Sequence, residues 1–189
     1  MLVIPTDPPA CGERRNITNV YPPVSFRLHR DSSRDDKKIT MPKLLIIITH
    51  PNPILRKKSA KIEKADEKTR RLILDMEKTM LEFDGVGLAA PQVGKNIRLI
   101  VINTKDGPIA MVNPKITRKS WRKELGEEGC LSLPGVNGNV KRHKKIRAVY
   151  CDAKNKKRGI KAEGLLARVI QHEIDHLNGV LFIDYLPAR

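Results

Sequence analysis

Aromatic residues, cysteines and long apolar runs are all scarce in this chain of 189 residues. Phe, Trp and Tyr make up 4% of the sequence, so we expect a core built from aliphatic side chains and Met. Three cysteines are too few, and odd in number, for a disulfide framework, which favours the reducing environment of the cytoplasm. No apolar run approaches the roughly 20 residues that cross a bilayer. No charged-then-apolar start indicates secretion, and we expect no membrane association.

Acidic residues are also in deficit, with 21 Asp and Glu against 37 Lys and Arg, for a net charge of +16. Such an excess attracts polyanions, including nucleic acid and the ribosome. Basic clusters lie at 115–123, 141–147 and 154–158. They form either a solvated charged face or a surface attracted to ribosomal RNA. We find no interleaved aromatic residues that would stack on bases, so RNA binding should be non-specific and salt-sensitive.

The first 40 residues differ in composition from the rest of the chain. They contain five prolines and no persistent apolar period, which predicts a poorly ordered N-terminal extension. Five arginines suggest a targeting segment for organellar import, but five acidic residues argue against one, because transit peptides are poor in acid. Alternatively, Met41 is the true start of the protein. We expect residues 41–189 to form a single domain.

Hydrophobic periodicity within residues 41–189 predicts more strands than helices. The apolar run at 44–48 is typical of a buried strand, and further strands are predicted over 97–103, 109–113, 146–153 and 158–162. Helices are predicted over 66–83 and 163–177. Strands and helices do not alternate regularly, so we expect an α+β fold rather than a doubly wound parallel sheet.

The second predicted helix contains the run Gln171-His172-Glu173-Ile174-Asp175-His176. Histidines four positions apart on a helix lie about 40° apart around the axis and about 6 Å along it, so both imidazoles can reach one metal ion. Glu173 is placed to reach a water molecule on that metal. This is the H-E-x-x-H arrangement of metal-activated hydrolysis. Two unrelated helix histidines would explain the pattern only by an uncommon coincidence.

A catalytic metal site needs a third protein ligand and an open position for water. In one zincin class a third histidine follows the motif, but Phe182 stands at that position here. No glutamate follows His176, so we expect the third ligand upstream. Cys130 is the best candidate, because a thiolate binds transition metals strongly and Gly129 allows close backbone approach. The alternative for any single cysteine is a small buried apolar residue, which suits Cys151.

A third segment, GVGLAAPQVG at 85–94, is small, apolar and rich in glycine. It lacks the last glycine and the strand-then-helix setting of a dinucleotide-binding loop, so we do not expect phosphate binding. Its one side-chain amide, Gln92, could donate a hydrogen bond to an oxyanion.

Together, GVGLAAPQVG (85–94), EEGCLSLPG (127–135) and QHEIDHLNGVLF (171–182) resemble the three signature motifs of the peptide deformylases, in the expected order. The resemblance covers about residues 41–189. It implies hydrolysis of the formyl group from the N-terminal formyl-methionine of newly synthesised polypeptides, with release of formate. It also implies an α+β fold in which mixed and antiparallel strands pack around the C-terminal helix that carries the histidines.

The resemblance assigns a role to each matching residue. The metal ligands would be Cys130, His172 and His176. Glu173 would act as general base and then general acid, and the oxyanion would be bound by Gln92 and the backbone N–H of Leu131. The methionine side chain would lie in an apolar slot formed by Val86, Leu165 and Val169. The backbones of Gly87 and Gly129 would face the substrate.

The family typically uses Fe²⁺, although one thiolate and two imidazoles also fit Zn²⁺, Ni²⁺ or Co²⁺. The implied partners are nascent formyl-methionyl polypeptides and, through the basic surface, the ribosome; we expect a monomer. Two other functions remain open from the residues. One is a zincin-like metallopeptidase, and the other is a non-catalytic, basic, ribosome-associated relative.

Overall fold

The computed structural model describes residues 2–3 and 41–187. The predicted extension at 1–40 therefore lies outside the described residues, except for a two-residue strand near its start. Two α-helices occur in the described part, α1 (Glu67–Glu82) and α2 (Gly164–Leu177). The strands are β1 (Leu2–Val3), β2 (Gly87–Ala89), β3 (Leu99–Ile102), β4 (Ile109–Lys119), β5 (Lys123–Cys130), β6 (Leu133–His143), β7 (Lys145–Cys151) and β8 (Lys157–Glu163).

These strands form two antiparallel sheets, so the prediction of an α+β fold is confirmed. The larger sheet has the order β2-β3-β4-β7-β8, and the smaller one has the order β1-β5-β6. In the larger sheet, β7 lies between β4 and β8, and Arg147 on β7 is paired with Arg118 on one side and Lys161 on the other. In the smaller sheet, β5 and β6 form a long hairpin that ends at Cys130 and Leu133.

Helix α2 packs on one face of the larger sheet, and α1 packs on the other face of its first strands. Ile100 and Ile102 of β3 belong to the apolar cluster that contains α2, whereas Leu99 and Val101 belong to the cluster that contains α1. Strand β3 is therefore apolar at every position, since both of its faces are covered. The core is aliphatic as predicted; among the described residues, Phe182 is the buried aromatic member of the clusters, and Tyr150 packs against one of them.

The ends of both helices follow from local sequence signals. The Asp66 carboxylate accepts a hydrogen bond from the Thr69 N–H and caps the N-terminus of α1. Helix α2 is followed by Gly179, whose φ of 75° is a left-handed conformation that favours glycine. The periodic pattern thus predicts both helices to within a residue or so of their observed bounds.

The predicted strand at 44–48 is wrong. The N–H of Leu45 donates to Thr79 Oγ1 on α1, and the N–H of Ile48 donates to the carbonyl of Gln92. The segment is held by a helix side chain and by the short 3-10 helix Ala90–Val93 instead of by a neighbouring strand. The long strands β5 and β6 were not predicted, because their alternation of buried and exposed residues is broken by charged residues and glycines.

None of the helices in the described part of the chain combines the length and the apolar character needed to cross a bilayer.

Burial on α1 raises the pKa of Glu77 to about 7. A carboxyl group with a raised pKa in the folded state stabilises the fold only while it is protonated. As the pH rises from about 4.5 to 7, the unfolded chain releases this proton before the folded chain does, so stability is lost across that window.

We therefore expect Glu77→Gln to raise the free energy of unfolding at pH 8 by about 1–3 kcal/mol, and to change it little at pH 4.5. Denaturant unfolding at the two pH values measures the difference. The exposed Glu82→Gln, on the same helix, is the matched control. An equal gain from Glu77→Gln at both pH values would show that burial of the charge is not the cause.

Candidate active site

The two histidines of α2 point to the same place. Their Nε2 atoms are 3.2 Å apart, the rings meet edge to face, and both side chains are buried. The helical spacing predicted from the sequence therefore brings the two imidazoles together. The Nδ1 atom of His172 faces a carboxylate, Glu128, at 2.9 Å, so this nitrogen carries the proton and Nε2 is left as the ligand atom.

Cys130, at the end of β5, completes a group of three potential metal ligands. Its Sγ lies 3.4 Å from Nε2 of His176, and the three ligand atoms all fall within 4.8 Å of one another. The thiol is buried, with 5% of the residue exposed. A strand and a helix from distant parts of the chain thus converge on one point, as predicted from the sequence.

The electrostatics of this group favour a thiolate. Burial opposes ionisation of Cys130, but nearby positive charge, including that of His176, and hydrogen bonds with both histidines hold its pKa well below the usual value. Burial likewise lowers the pKa of His172, whereas hydrogen bonds with Cys130 and Glu128 raise it to about 9. One thiolate and two imidazoles are a donor set suited to a divalent transition metal ion.

Glu173 lies beside this group and is fully buried. Neither of its carboxylate oxygens has a hydrogen-bond partner among the described residues, and the same holds for Nδ1 of His176. A buried carboxylate without a partner is costly, so this side chain fits a site that binds a further polar group. Gly87 makes room for it, because a Cβ at this position would lie 2.5 Å from Glu173 Oε1.

Gln92 approaches the group from the other side. It belongs to the 3-10 helix that follows β2, where its Oε1 accepts the N–H of Ala89 at 2.9 Å. Its Nε2 lies 3.3 Å from Cys130 Sγ and 3.1 Å from Ser132 Oγ. The amide donor is therefore aimed at the metal-ligand group. Leu131, which follows Cys130 in the chain, is half-buried.

The residues predicted to form an apolar slot share one cluster. Val169 is buried on α2, and Val86 and Leu165 are partly buried against the same cluster. A Cβ at Gly87 would lie 2.8 Å from Val169 Cγ1, which places β2 directly against this helix face. Leu165 also lines a cleft of about 270 Å³ between β5, β6 and the start of α2. Gly129 is buried within β5.

Comparison with known proteins agrees with this geometry. Residues 44–189 match the model of the polypeptide deformylase family. The chain belongs to the peptide deformylase family. A peptide deformylase of Dictyoglomus thermophilum is 51% identical over 135 residues, covering 70% of this chain and 86% of the relative.

Solved structures of deformylases share the fold. The Thermotoga maritima peptide deformylase superposes with a TM-score of 0.74 at 41% identity, covering 77% of this chain and 99% of its own. A class I type b peptide deformylase from Acinetobacter baumannii, bound to Met-Ala-Ser, gives 0.73 at 34% identity, covering 77% and 100%.

As a peptide deformylase, the chain is a hydrolase of protein biosynthesis that removes the formyl group from the N-terminal formyl-methionine of new polypeptides. Membership of this family decides against the two alternatives left open by the sequence, a zincin-like peptidase and a non-catalytic relative. The enzymes of the family are metalloenzymes, and the group formed by Cys130, His172 and His176 is a site where a metal ion fits.

One residue of the deformylase site was missed by the sequence analysis. Glu128, with 0% exposure, accepts two hydrogen bonds from Arg142 at 2.9 Å each, one from Arg168 at 2.8 Å and one from His172 Nδ1 at 2.9 Å. Its hydrogen bonds with Arg142 and His172 outweigh burial and lower its pKa to about 2. Glu128 stands two positions before Cys130 on the same strand, and this spacing was the available signal.

Because Glu128 orients His172 and keeps its Nδ1 protonated, Glu128→Gln should weaken metal binding by about 10- to 100-fold. Competition with a chelator at pH 7 measures the affinity, and circular dichroism checks that the variant is folded. Glu127→Gln, at the adjacent exposed position, removes the same charge and should leave the affinity unchanged. Equal affinities of the two variants would contradict a role for Glu128 in positioning the ligand.

Proposed function

We propose that Cys130, His172 and His176 hold one divalent metal ion, Fe²⁺ in the native enzyme, with Zn²⁺, Ni²⁺ or Co²⁺ as substitutes. One observation carries the proposal: the thiol sulfur and the two Nε2 atoms converge beside a buried carboxylate that has no partner among the described residues. When bound, the ion supplies Lewis acidity, which lowers the pKa of water toward neutrality. The soft sulfur ligand and two imidazoles suit any of the four ions.

In this proposal Glu173 moves the proton. Its carboxylate accepts a proton from the attacking water and later gives it to the nitrogen of the leaving amine. The buried, unpartnered state of both carboxylate oxygens supports this role, because no hydrogen bond within the described chain competes for the proton. The close fit of Gly87 leaves the carboxylate little room to turn away from the metal-ligand group.

Gln92 and the N–H of Leu131 would stabilise the negative oxygen that develops when the formyl carbon is attacked. The Gln92 amide is held through its Oε1 by the Ala89 N–H, so its Nε2 is preorganised rather than free to rotate. Preorganised donors that face a developing charge are among the largest contributions to catalysis. The hydrogen bond from Gln92 Nε2 toward Cys130 Sγ shows that this donor faces the metal-ligand group.

The substrate peptide would bind as an extended strand along the edge of β5. In this chain β1 already pairs antiparallel with that edge, with Leu2 opposite Cys130 and Val3 opposite Gly129. The edge at Gly129 therefore accepts an extended backbone by β-strand addition, and the substrate peptide would bind there in place of β1. The Met-Ala-Ser complex of the Acinetobacter relative supports a peptide as ligand. The methionine side chain would enter the slot of Val86, Leu165 and Val169, with the backbone of Gly87 facing it.

The proposal extends to the compartment, the domain organisation, the oligomeric state and the partners of the enzyme. We place it in the cytoplasm, where the Cys130 thiol stays reduced, and we take residues 41–189 as one catalytic domain. A monomer is sufficient, because every residue of the proposed site comes from one chain. The net charge of +16 favours contact with ribosomal RNA near the emerging polypeptide.

The central test is Glu173→Gln with formyl-Met-Ala-Ser as substrate. The amide keeps the shape of the side chain but cannot accept the proton, so formate release should fall by at least 10²-fold while the metal content found by anaerobic analysis stays the same. An unformylated peptide with the same sequence serves as the internal-bond control. Near-normal formate release would remove the proton role, and cleavage of the unformylated peptide by the wild type would contradict the proposed reaction.

Substitution of Gln92 tests the oxyanion contact. Gln92→Glu keeps an acceptor for the Ala89 N–H but loses the donor, and Gln92→Leu loses both. Both variants should lower kcat by roughly 10²–10³-fold with little change in KM, measured as formate release. A loss confined to KM would show that Gln92 binds the ground state and does not stabilise the transition state.

A further inference from the structure

Three cations lie side by side on the outer face of the larger sheet. Arg118 on β4 is directly opposite Arg147 on β7, which is directly opposite Lys161 on β8. All three side chains are exposed, and within the described residues none lies within ion-pair distance of a carboxylate. Like charges directly opposite one another on a sheet are destabilising. We call this set the cation row.

The cation row lies on the face turned away from the active site. Strand β7 alternates, so that Ile146 and Ala148 pack toward α2 while Arg147 points to solvent. The cluster that contains α1 extends to Val112 of β4 and Cys151 at the end of β7, and it leaves the cation row exposed. A partner bound on the cation row would therefore leave the metal-ligand group accessible to a peptide.

Trp121 follows the end of β4, close to the start of β7, with 99% of the residue exposed. It is the only tryptophan of the chain and lies between β4 and β5, three residues after Arg118. The turn is tied to β7, because the N–H of Ser120 donates to the Lys145 carbonyl and the N–H of Lys145 donates to Ser120 Oγ. The sequence interpretation that no aromatic residue accompanies the basic clusters is thus corrected, since Trp121 lies within the cluster at 115–123.

We propose that Trp121 and the cation row bind a single-stranded segment of RNA. Phosphates would neutralise the cations that the described residues leave unpaired, and a base would stack on the indole, as in other single-strand-binding surfaces. An anionic membrane is the less suitable partner, because interfacial binding needs a broad apolar face and Trp121 is a single ring. The inference deepens the proposed contact with ribosomal RNA, and it does not depend on the catalytic assignments.

Binding of a fluorescein-labelled oligouridylate of roughly ten nucleotides tests the proposal by anisotropy on the full chain. The triple variant Arg118→Gln, Arg147→Gln, Lys161→Gln should weaken binding and reduce the slope of log affinity against log salt by about 2, since each phosphate contact contributes about 0.7. The matched control is Lys57→Gln, Lys58→Gln, Lys64→Gln, which removes three exposed charges elsewhere. It should leave the slope nearly unchanged, and equal losses from both triples would overturn the cation row as the site.

The same oligonucleotide should quench the intrinsic fluorescence of Trp121. Trp121→Ala should weaken binding by about 5- to 100-fold through loss of stacking, and Trp121→Phe should restore most of it. Absence of quenching, or unchanged affinity of the alanine variant, would overturn the role of the indole. Binding to phosphatidylglycerol vesicles without binding to the oligonucleotide would overturn RNA as the partner.

Deformylation of formyl-Met-Ala-Ser by the same variants separates this proposal from the proposed function. Both the triple variant and Trp121→Ala should turn over the peptide at the wild-type rate, since neither changes the face that carries α2. Loss of turnover with retained oligonucleotide binding would contradict the proposed separation of the two surfaces.

Discussion

The site depends on a buried carboxylate that holds three elements together. Glu128 on β5 accepts hydrogen bonds from Arg142 on β6 and from Arg168 and His172 on α2. Removing one partner of a buried charge network usually costs several kcal/mol, because the remaining charges stay buried without compensation. The network therefore fixes the register between the hairpin that carries Cys130 and the helix that carries the histidines. Without it, these ion pairs would no longer hold the thiol and the imidazoles in fixed positions relative to one another.

This arrangement separates two kinds of buried acid in a small volume. Glu128 is fully paired and stays ionised, as its lowered pKa indicates. Glu173, on the same face of the site, is left without a partner among the described residues. The two carboxylates beside the metal-ligand group therefore differ in the role that we propose for them. In the proposed function, the paired acid Glu128 orients the metal ligand His172, and the unpaired acid Glu173 exchanges a proton with water and the leaving amine.

Much of the site could be predicted from the sequence because helix geometry is local. Two histidines four residues apart must share a face, so their convergence follows from the helix alone. Cys130 was harder, since its approach depends on contact between the β5–β6 hairpin and α2, which are far apart in the chain, and the motif resemblance supplied what spacing could not. Glu128 was missed because its partners, Arg142 and Arg168, come from other elements.

The errors in the secondary-structure prediction have physical causes of the same kind. The run at 44–48 has the composition of a strand, but the N–H groups of Leu45 and Ile48 donate to Thr79 and Gln92 and not to a neighbouring strand. Strands β5 and β6 were overlooked because their many exposed charges and glycines hide the alternation of buried and exposed residues. A local sequence pattern predicts an element correctly when the element satisfies its own hydrogen bonds. The prediction fails where the hydrogen-bond partners lie elsewhere in the chain.

The larger sheet carries α2 on one face and the cation row on the other. Strand β3 is covered on both faces and has no polar position, whereas β7 is covered on one face and carries cations on the other. Since successive residues of a strand point to opposite faces, Ile146 and Ala148 support α2 while Arg147 faces solvent. A shift of one residue in the register of β7 would bury Arg147 against the catalytic helix and expose Ile146. The hydrophobic packing of α2 is therefore also what keeps the cation row on the outside of the sheet.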